Sequence, residues 1–303
     1  MSNNTTSNNF GECHINSTGH INIFPVCIYS FIVIVGLVFN VMSLAFFFCH
    51  TKSRSHTIVY MTNLAIADIL LILTLPMRIY HHLGNEIHQW LCDILGLILK
   101  ANMYGSIFLL TCICFDRCMA VTFPMSARVQ EGRKKAPLVC FGIWLITFGA
   151  SLPIYFSRKV NSTDCFDSLP VHATNLAVVS STLIVGFGIP LVIMLICSWG
   201  LVRAVRRSTV AQTDLVDSGK IQRMIATSLL IFLVSFLPYH VILVLLSLYR
   251  DNISCPMRTA YRYSLMLASF NAVLDPVAYY FTTDTFRRKV DIRAVRRMFP
   301  LNS

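Results

Sequence analysis

The sequence predicts an all-α membrane protein, a bundle of seven transmembrane helices followed by a short amphipathic eighth helix. Three observations carry this. Of 303 residues, 55% are apolar or aromatic and only 13% are charged, about half the charge of an ordinary soluble domain. Seven stretches each reach the roughly 20 apolar residues that cross a bilayer core. The basic residues gather on one set of alternating connectors. A soluble surface is excluded for want of charge, and disorder is excluded by the apolar content.

The spans, in order, are 23–49, 58–80, 91–121, 137–156, 173–202, 221–249 and 260–281. Polar connectors separate them. Transmembrane β-strands would read as alternating segments of about 10 residues, and these runs are far longer. The chain therefore divides into an extracellular glycosylated tail (1–22), the bundle (23–281) and an amphipathic helix with a short cytoplasmic tail (282–303). There is no internal repeat. Linker-like composition is confined to the N-terminal tail and to 208–219.

With the N-terminus outside, 18 of the 25 basic residues fall on the inner side. The seven on the outer side are Arg78, Lys100, Arg158, Lys159, Arg250, Arg258 and Arg262. The net charge of +11 is thus a topology signal and an attraction to anionic membrane lipid, not a nucleic-acid patch. Asn-x-Ser/Thr sequons begin at Asn3, Asn4, Asn16, Asn161 and Asn252, all on the proposed outside. The first twenty residues are polar, so no cleavable signal is expected and the first span acts as its own insertion signal. The expected location is the plasma membrane.

Four of the 11 cysteines, Cys13, Cys92, Cys165 and Cys255, lie outside or at outer span ends. They allow three pairings. The pairing favoured is Cys92–Cys165, tying the third span to the second outer loop, with Cys13–Cys255, tying the tail to the third. The remaining seven read as small apolar core residues.

A charge at membrane depth is expensive and marks function by default. Asp68 in the second span, Ser106 in the third, and Asn271 and Asp275 in the seventh put oxygen-bearing groups at mid-depth, with Asn40 in the first. Two readings are open: a polar network gluing helices together, or oxygen ligands for a small hard cation. At the inner end of the third span stand Asp116 and Arg117. They lie 24 residues from Cys92, about 36 Å of helix at 1.5 Å per residue.

Taken together, Asn40, Leu64-Ala-Ile-Ala-Asp68, Cys92, Asp116-Arg117-Cys118, Trp144, Pro190, Phe232, Phe236-Leu-Pro238 and Asp275-Pro276-Val-Ala-Tyr279 resemble the rhodopsin-like (class A) G-protein-coupled receptors. The resemblance runs over nearly the whole chain. It implies a two-state bundle in which an outer ligand opens the inner ends of spans five and six to a heterotrimeric G protein. It makes Asp116 and Arg117 the inner switch. Pro238, with Phe232 and Phe236, becomes the hinge and packing trigger of span six, because proline removes a backbone hydrogen bond and kinks the helix. Pro276, with Asp275 and Tyr279, does the same in span seven. Asp68, Ser106, Asn271 and Asp275 become an allosteric sodium site. There are departures from the family pattern: Cys118 for a usual Tyr, Phe236 for a frequent Trp, Asp275 for Asn, and Ser198 for a Tyr. Span six offers Ser218 and Lys220 where an acidic partner for Arg117 is often found, which predicts a weak lock and appreciable basal activity.

Amine receptors of the family carry an Asp where this chain has Leu99. The charge beside it is Lys100, of opposite sign, about 12 Å below Cys92. Arg78, Arg250 and Arg258 join it around the mouth of the bundle. Arginine suits phosphate bidentately and lysine acts as a point charge, so an anionic ligand is expected. The alternative is snorkelling to headgroups or pairing with Asp93, Asp164, Asp167 and Asp251; that reading is preferred for Arg158, Lys159 and Arg262. Leu75-Pro-Met-Arg78, Asn102-Met-Tyr104-Gly-Ser106, Tyr239-His240 and Cys13/Cys255 resemble the purinergic and lysophospholipid branch, in particular the purinergic-like lysophosphatidic acid receptors and the lysophosphatidylinositol receptor. This implies a lysophospholipid whose phosphate meets Arg78, Lys100, Arg250 and Arg258. Tyr104 and His240 would bond its linker, and its acyl chain would lie near Ile184 and Phe187. Leu183 departs from the acidic residue of these relatives and leaves the headgroup open, with lysophosphatidylserine and nucleotides as alternatives.

No catalytic motif appears, so an enzyme is not expected. A transporter would show repeated halves and broken helices. The segment 283–290, with Arg287, Arg288 and Lys289, reads as an amphipathic helix on the inner leaflet. Its few hydroxyls predict weak arrestin recruitment. The resemblance suggests G proteins of the twelve/thirteen class, with the inhibitory class beside it.

Overall fold

The computed structural model describes residues 23–49, 56–123, 125–156, 176–210, 215–249 and 253–282. Among them every regular element is helical. The first span is Ile23–Phe31, a π-helical turn Ile32–Gly36, and Leu37–Cys49. The second is His56–His82 and the third Gln89–Thr122. A loop helix, Ala127–Lys134, leads into the fourth span, Ala136–Phe156. The fifth is Leu176–Ser181, a π-helical stretch Thr182–Gly188, and Ile189–Val210. The sixth is Leu215–Leu248. The seventh is Cys255–Ser269 followed by Asn271–Thr282.

Five of these helices are long and apolar enough to cross a membrane alone, and the loop helix with the fourth span, bent by 49°, makes a sixth. The seventh is broken at Phe270, and its outer half carries Arg258 and Arg262. That is why apolarity alone undercounts it. The eighth helix expected after Thr282 lies outside the described residues.

Span three is the most enclosed of the long helices and span five the least. Met103, Ile107, Leu110 and Ile113 of span three are buried with Leu64, Phe187, Phe232, Phe236 and Tyr239 in the main core. A smaller outer core joins Tyr29, Ile32, Leu71, Leu75, Leu99, Ala272 and Val273 of spans one, two, three and seven. The opposite helix faces expose Leu73, Phe141, Leu145, Ile146, Ile196 and Leu230 by about 60% each, a skin that only lipid covers at low cost. Ile184 belongs to that skin at 60% exposure, whereas Phe187, three residues on, is buried at 8%. The sequence expectation that both line one apolar pocket is corrected for Ile184.

Prolines bear on two of these features. Pro190 has no N–H for the Gly186 carbonyl four residues back, and its ring crowds that carbonyl. The π-helical stretch Thr182–Gly188 lies just before it and relieves the clash. Pro276 likewise leaves the Ala272 carbonyl without its helical donor. Asn40 supplies one, its Nδ2 donating to Ala272 O at 2.7 Å and to Gly36 O at 2.9 Å. Span one is thereby fastened to the kink of span seven.

Candidate ligand site and signalling core

Lys100 and Tyr104 sit one turn apart on the enclosed span. The Lys100 ammonium donates to the Tyr239 hydroxyl and stands 4.1 Å from the centre of the Tyr239 ring. The Tyr104 and Tyr239 hydroxyls are hydrogen-bonded as well. Tyr239 is fully buried, and its ring lies 5.0 Å from His240 and 6.0 Å from Tyr261. His240 stacks on Phe187 at 4.3 Å, and Phe187 on Phe232 at 5.2 Å. Phe232 meets Phe236 edge-on at 5.8 Å. A cation in the outer half is therefore in unbroken contact with the aromatic packing around Pro238.

His240 Nδ1 is 2.8 Å from the Phe236 carbonyl, which fixes the proton on Nδ1 and leaves Nε2 as an acceptor. That Nε2 is buried with no partner among the described residues. Arg258 lies one turn outward of Tyr261 on the same face of span seven. Its Nε is also buried without a partner among the described residues. Arg78 is buried at 3% exposure and differently engaged, donating from Nη2 to the Leu95 carbonyl at 3.2 Å and lying close enough to the Tyr29 phenol to act on it electrostatically. The structure thus brings Lys100, Tyr104 and His240 together and sets Arg258 above them through Tyr261. It directs Arg78 toward spans one and three. Arg250 lies outside the described residues.

Below this cluster the four mid-depth residues are all fully buried. Asn102 Nδ2 donates to Asp68 Oδ1 at 3.2 Å, and Asp275 feels the Asp68 carboxylate electrostatically. Asp68 Oδ2, Ser106 Oγ, Asn271 Oδ1 and both Asp275 carboxylate oxygens are buried with no hydrogen-bond partner among the described residues. Two neighbouring carboxylates with oxygens left unmatched are costly. Oxygen atoms of this kind are the donors that a hard cation takes, so the residues fit sodium.

At the inner end Asp116 is buried and held by a fork: Arg133 Nε at 2.6 Å and Nη2 at 3.1 Å, both donating. Thr57 Oγ1 adds a bond of 2.5 Å. The acid of the inner switch is thus paired with the loop helix and span two. Arg117, its neighbour in sequence, has its Nε buried without a partner among the described residues. Trp144 Nε1 donates to Asn63 Oδ1 at 2.9 Å, locking span four to span two. The Tyr279 side chain lies outside the described residues.

Cys92 and Cys255 are each half of a disulfide. Cys165, Cys13 and all five sequons, at Asn3, Asn4, Asn16, Asn161 and Asn252, lie outside the described residues. Sequence reasoning did not assign roles to Tyr239, Tyr261, Asn102, Thr57, Arg133 or Gly186. Asn102 was within reach of it, standing four residues, one turn, before Ser106. Arg133 was not, because in sequence it is one basic loop residue among many.

The sequence matches the family described as 7 transmembrane receptor (rhodopsin family) over residues 6–279. It is 32% identical over 309 aligned positions to lysophosphatidic acid receptor 6 of Homo sapiens, covering 95% of this chain and 89% of that one. It is 33% identical over 310 positions to human lysophosphatidic acid receptor 4, covering 97% and 83%. Human G-protein coupled receptor 68 is 35% identical over 302 positions, covering 95% and 81%. The chain therefore belongs to the rhodopsin-like (class A) family of G-protein-coupled receptors, and is a multi-pass membrane protein that signals through heterotrimeric G proteins and is not an enzyme.

Proposed function

We propose that this receptor is activated by an anionic lysophospholipid of the lysophosphatidic acid type, entering at the extracellular end. The observation that carries the reading is that Lys100 and Arg258 have no carboxylate partner among the described residues. Cations at membrane depth without an internal counter-charge call for an anion from outside. The names of lysophosphatidic acid receptors 6 and 4 support the same class. The phosphate meets Arg258 and Lys100, and the resemblance adds Arg250 to the same set. The Nε2 of His240 accepts a hydrogen bond from the glycerol hydroxyl, and Tyr104 bonds the linker.

Signal follows from the contacts. An anion drawing on Lys100 weakens its bond to Tyr239. Tyr239 and His240 sit directly after Pro238, which has no N–H to donate to the Val234 carbonyl. Motion there passes through Phe236, Phe232 and Phe187 and swings the inner half of span six. A sodium ion among Asp68, Ser106, Asn271 and Asp275 belongs to the resting state. The N-terminus faces outside, with the pairings Cys92–Cys165 and Cys13–Cys255. G proteins of the twelve/thirteen class, or of the inhibitory class, take the signal, with weak arrestin recruitment.

The test is G-protein activation in cells expressing this chain, comparing lysophosphatidic acid, lysophosphatidylinositol, lysophosphatidylserine and nucleotides. A charge-assisted hydrogen bond contributes about 1.5–3 kcal/mol, so Arg258→Gln is expected to weaken potency by about 10- to 100-fold at equal surface expression. A response to nucleotides alone, or unchanged potency in Arg258→Gln, overturns the reading.

A further inference from the structure

A cavity of about 220 Å³ opens at the inner end of the bundle, away from the ligand site. It is lined by His56 of span two, Ala120 and Phe123 at the end of span three, and Val129, Gln130, Arg133 and Lys134 of the loop helix. The lining has two characters. Ala120, Phe123 and Val129 form an apolar wall, while His56, Arg133 and Lys134 bring positive or protonatable nitrogen. Among the described residues no carboxylate lines it; Glu131 is on the same helix but not among the lining residues. The nearest acid in contact is Asp116, already held by Arg133.

Arg133 is prepared for a second partner. Its fork to Asp116 uses Nε and Nη2. Guanidinium carries five N–H groups, so Nη1 with both its hydrogens, and the second hydrogen of Nη2, stay outside the fork. Those are the donors of the end-on bidentate geometry that fits phosphate. The Asp116 bonds fix the plane of the group beforehand, and Lys134, exposed, adds a point charge. The volume is about seven times the share of one water, room for a phosphate and part of what it is esterified to.

We propose that this cavity binds the phosphate monoester of an anionic lipid headgroup from the inner leaflet. A cationic pocket beside an apolar wall at the membrane's cytoplasmic face suits an amphiphile, and its occupant shares Arg133 with Asp116. The occupant therefore bears on the inner switch from the side opposite the extracellular ligand. The inference does not rest on the identity of that ligand.

The experiment uses the whole receptor in phosphatidylcholine nanodiscs, with or without phosphatidylinositol bisphosphate, and counts retained lipid by native mass spectrometry. Wild type is expected to retain the bisphosphate lipid. Near the membrane surface one lysine changes such binding about fivefold, so Lys134→Gln should weaken retention by about that factor and Lys134→Glu by more. Arg203→Gln, a basic residue of span five outside the cavity, should leave it unchanged. Because Lys134 is exposed, neither substitution threatens folding, and thermal unfolding verifies this. Inositol trisphosphate added to phosphatidylcholine discs separates the sources. Its binding, lost in Lys134→Glu, supports the anion site and assigns it to soluble phosphate; lipid retention without it assigns the site to the membrane. Equal retention by wild type and both Lys134 variants overturns the proposal.

Discussion

Gly186 shows how much one hydrogen atom decides. A Cβ built there stands 2.8 Å from Tyr104 Cε1 and 3.2 Å from Cδ1, inside contact distance. The Tyr104 ring cannot simply retreat, since its hydroxyl is bonded to Tyr239 and its edge meets His240 at 6.0 Å. Gly to Ala in a helix gains about 1 kcal/mol of propensity, while overpacking costs about 1–3 kcal/mol. Packing wins, so Gly186→Ala is expected to lower the thermal midpoint and the agonist potency together. Gly105→Ala meets nothing within 4 Å and serves as the neutral comparison; equal midpoints for the two would refute the steric argument. Arg78 works on the same scale. Its guanidinium serves the Leu95 carbonyl and Tyr29, so its removal acts first on the packing of spans one, two and three.

Two devices at the scale of elements link helices that are distant in sequence. One is the Asn40 bond to Ala272, which exists because Pro276 left that carbonyl free. The other is the Asp116–Arg133 fork, which clamps the loop helix to span three while Thr57 clamps span two. Removing Arg133 leaves Asp116 with Thr57 alone and loosens the inner end. A change of about 1 kcal/mol in the two-state balance alters the active fraction about fivefold when that fraction is small. Arg133→Gln is expected to raise ligand-independent G-protein activation by about that factor, measured against surface-matched wild type. No rise would mean that the fork does not restrain the resting state. Arg117 Nε has no partner among the described residues, and the span-six side chains expected opposite it, Ser218 and Lys220, lie outside them.

For the molecule as a whole, the proposed sodium site among the mid-depth oxygens of spans two, three and seven would make global stability depend on a small cation. A ligand that binds only the folded state stabilises it by mass action, about 2.7 kcal/mol at a hundredfold excess over its dissociation constant. Purified receptor is expected to unfold at a higher temperature in sodium chloride than in N-methylglucamine chloride at equal ionic strength. Asp68→Asn should abolish the difference. Identical midpoints in the two salts would remove sodium from the proposal.

The sequence by itself determined the number and order of spans, the residues at membrane depth and the family, because burial in lipid demands long apolar runs and makes every exception conspicuous. Asp68, Asn271 and Asp275 stood out for that reason, as did Lys100. Tertiary structure alone decided who partners whom. Tyr239 reads in sequence as one more aromatic in an apolar helix, and only the approach of spans three and six makes it the acceptor for Lys100. Arg133 reads as one loop cation among several, and only the bend before span four brings it to Asp116. The π-helical stretch of span five was likewise hidden, because it answers to the carbonyl that Pro190 leaves free. Apolar periodicity is a local property of the chain, but a hydrogen-bond partner across the bundle is set by the packing of the whole.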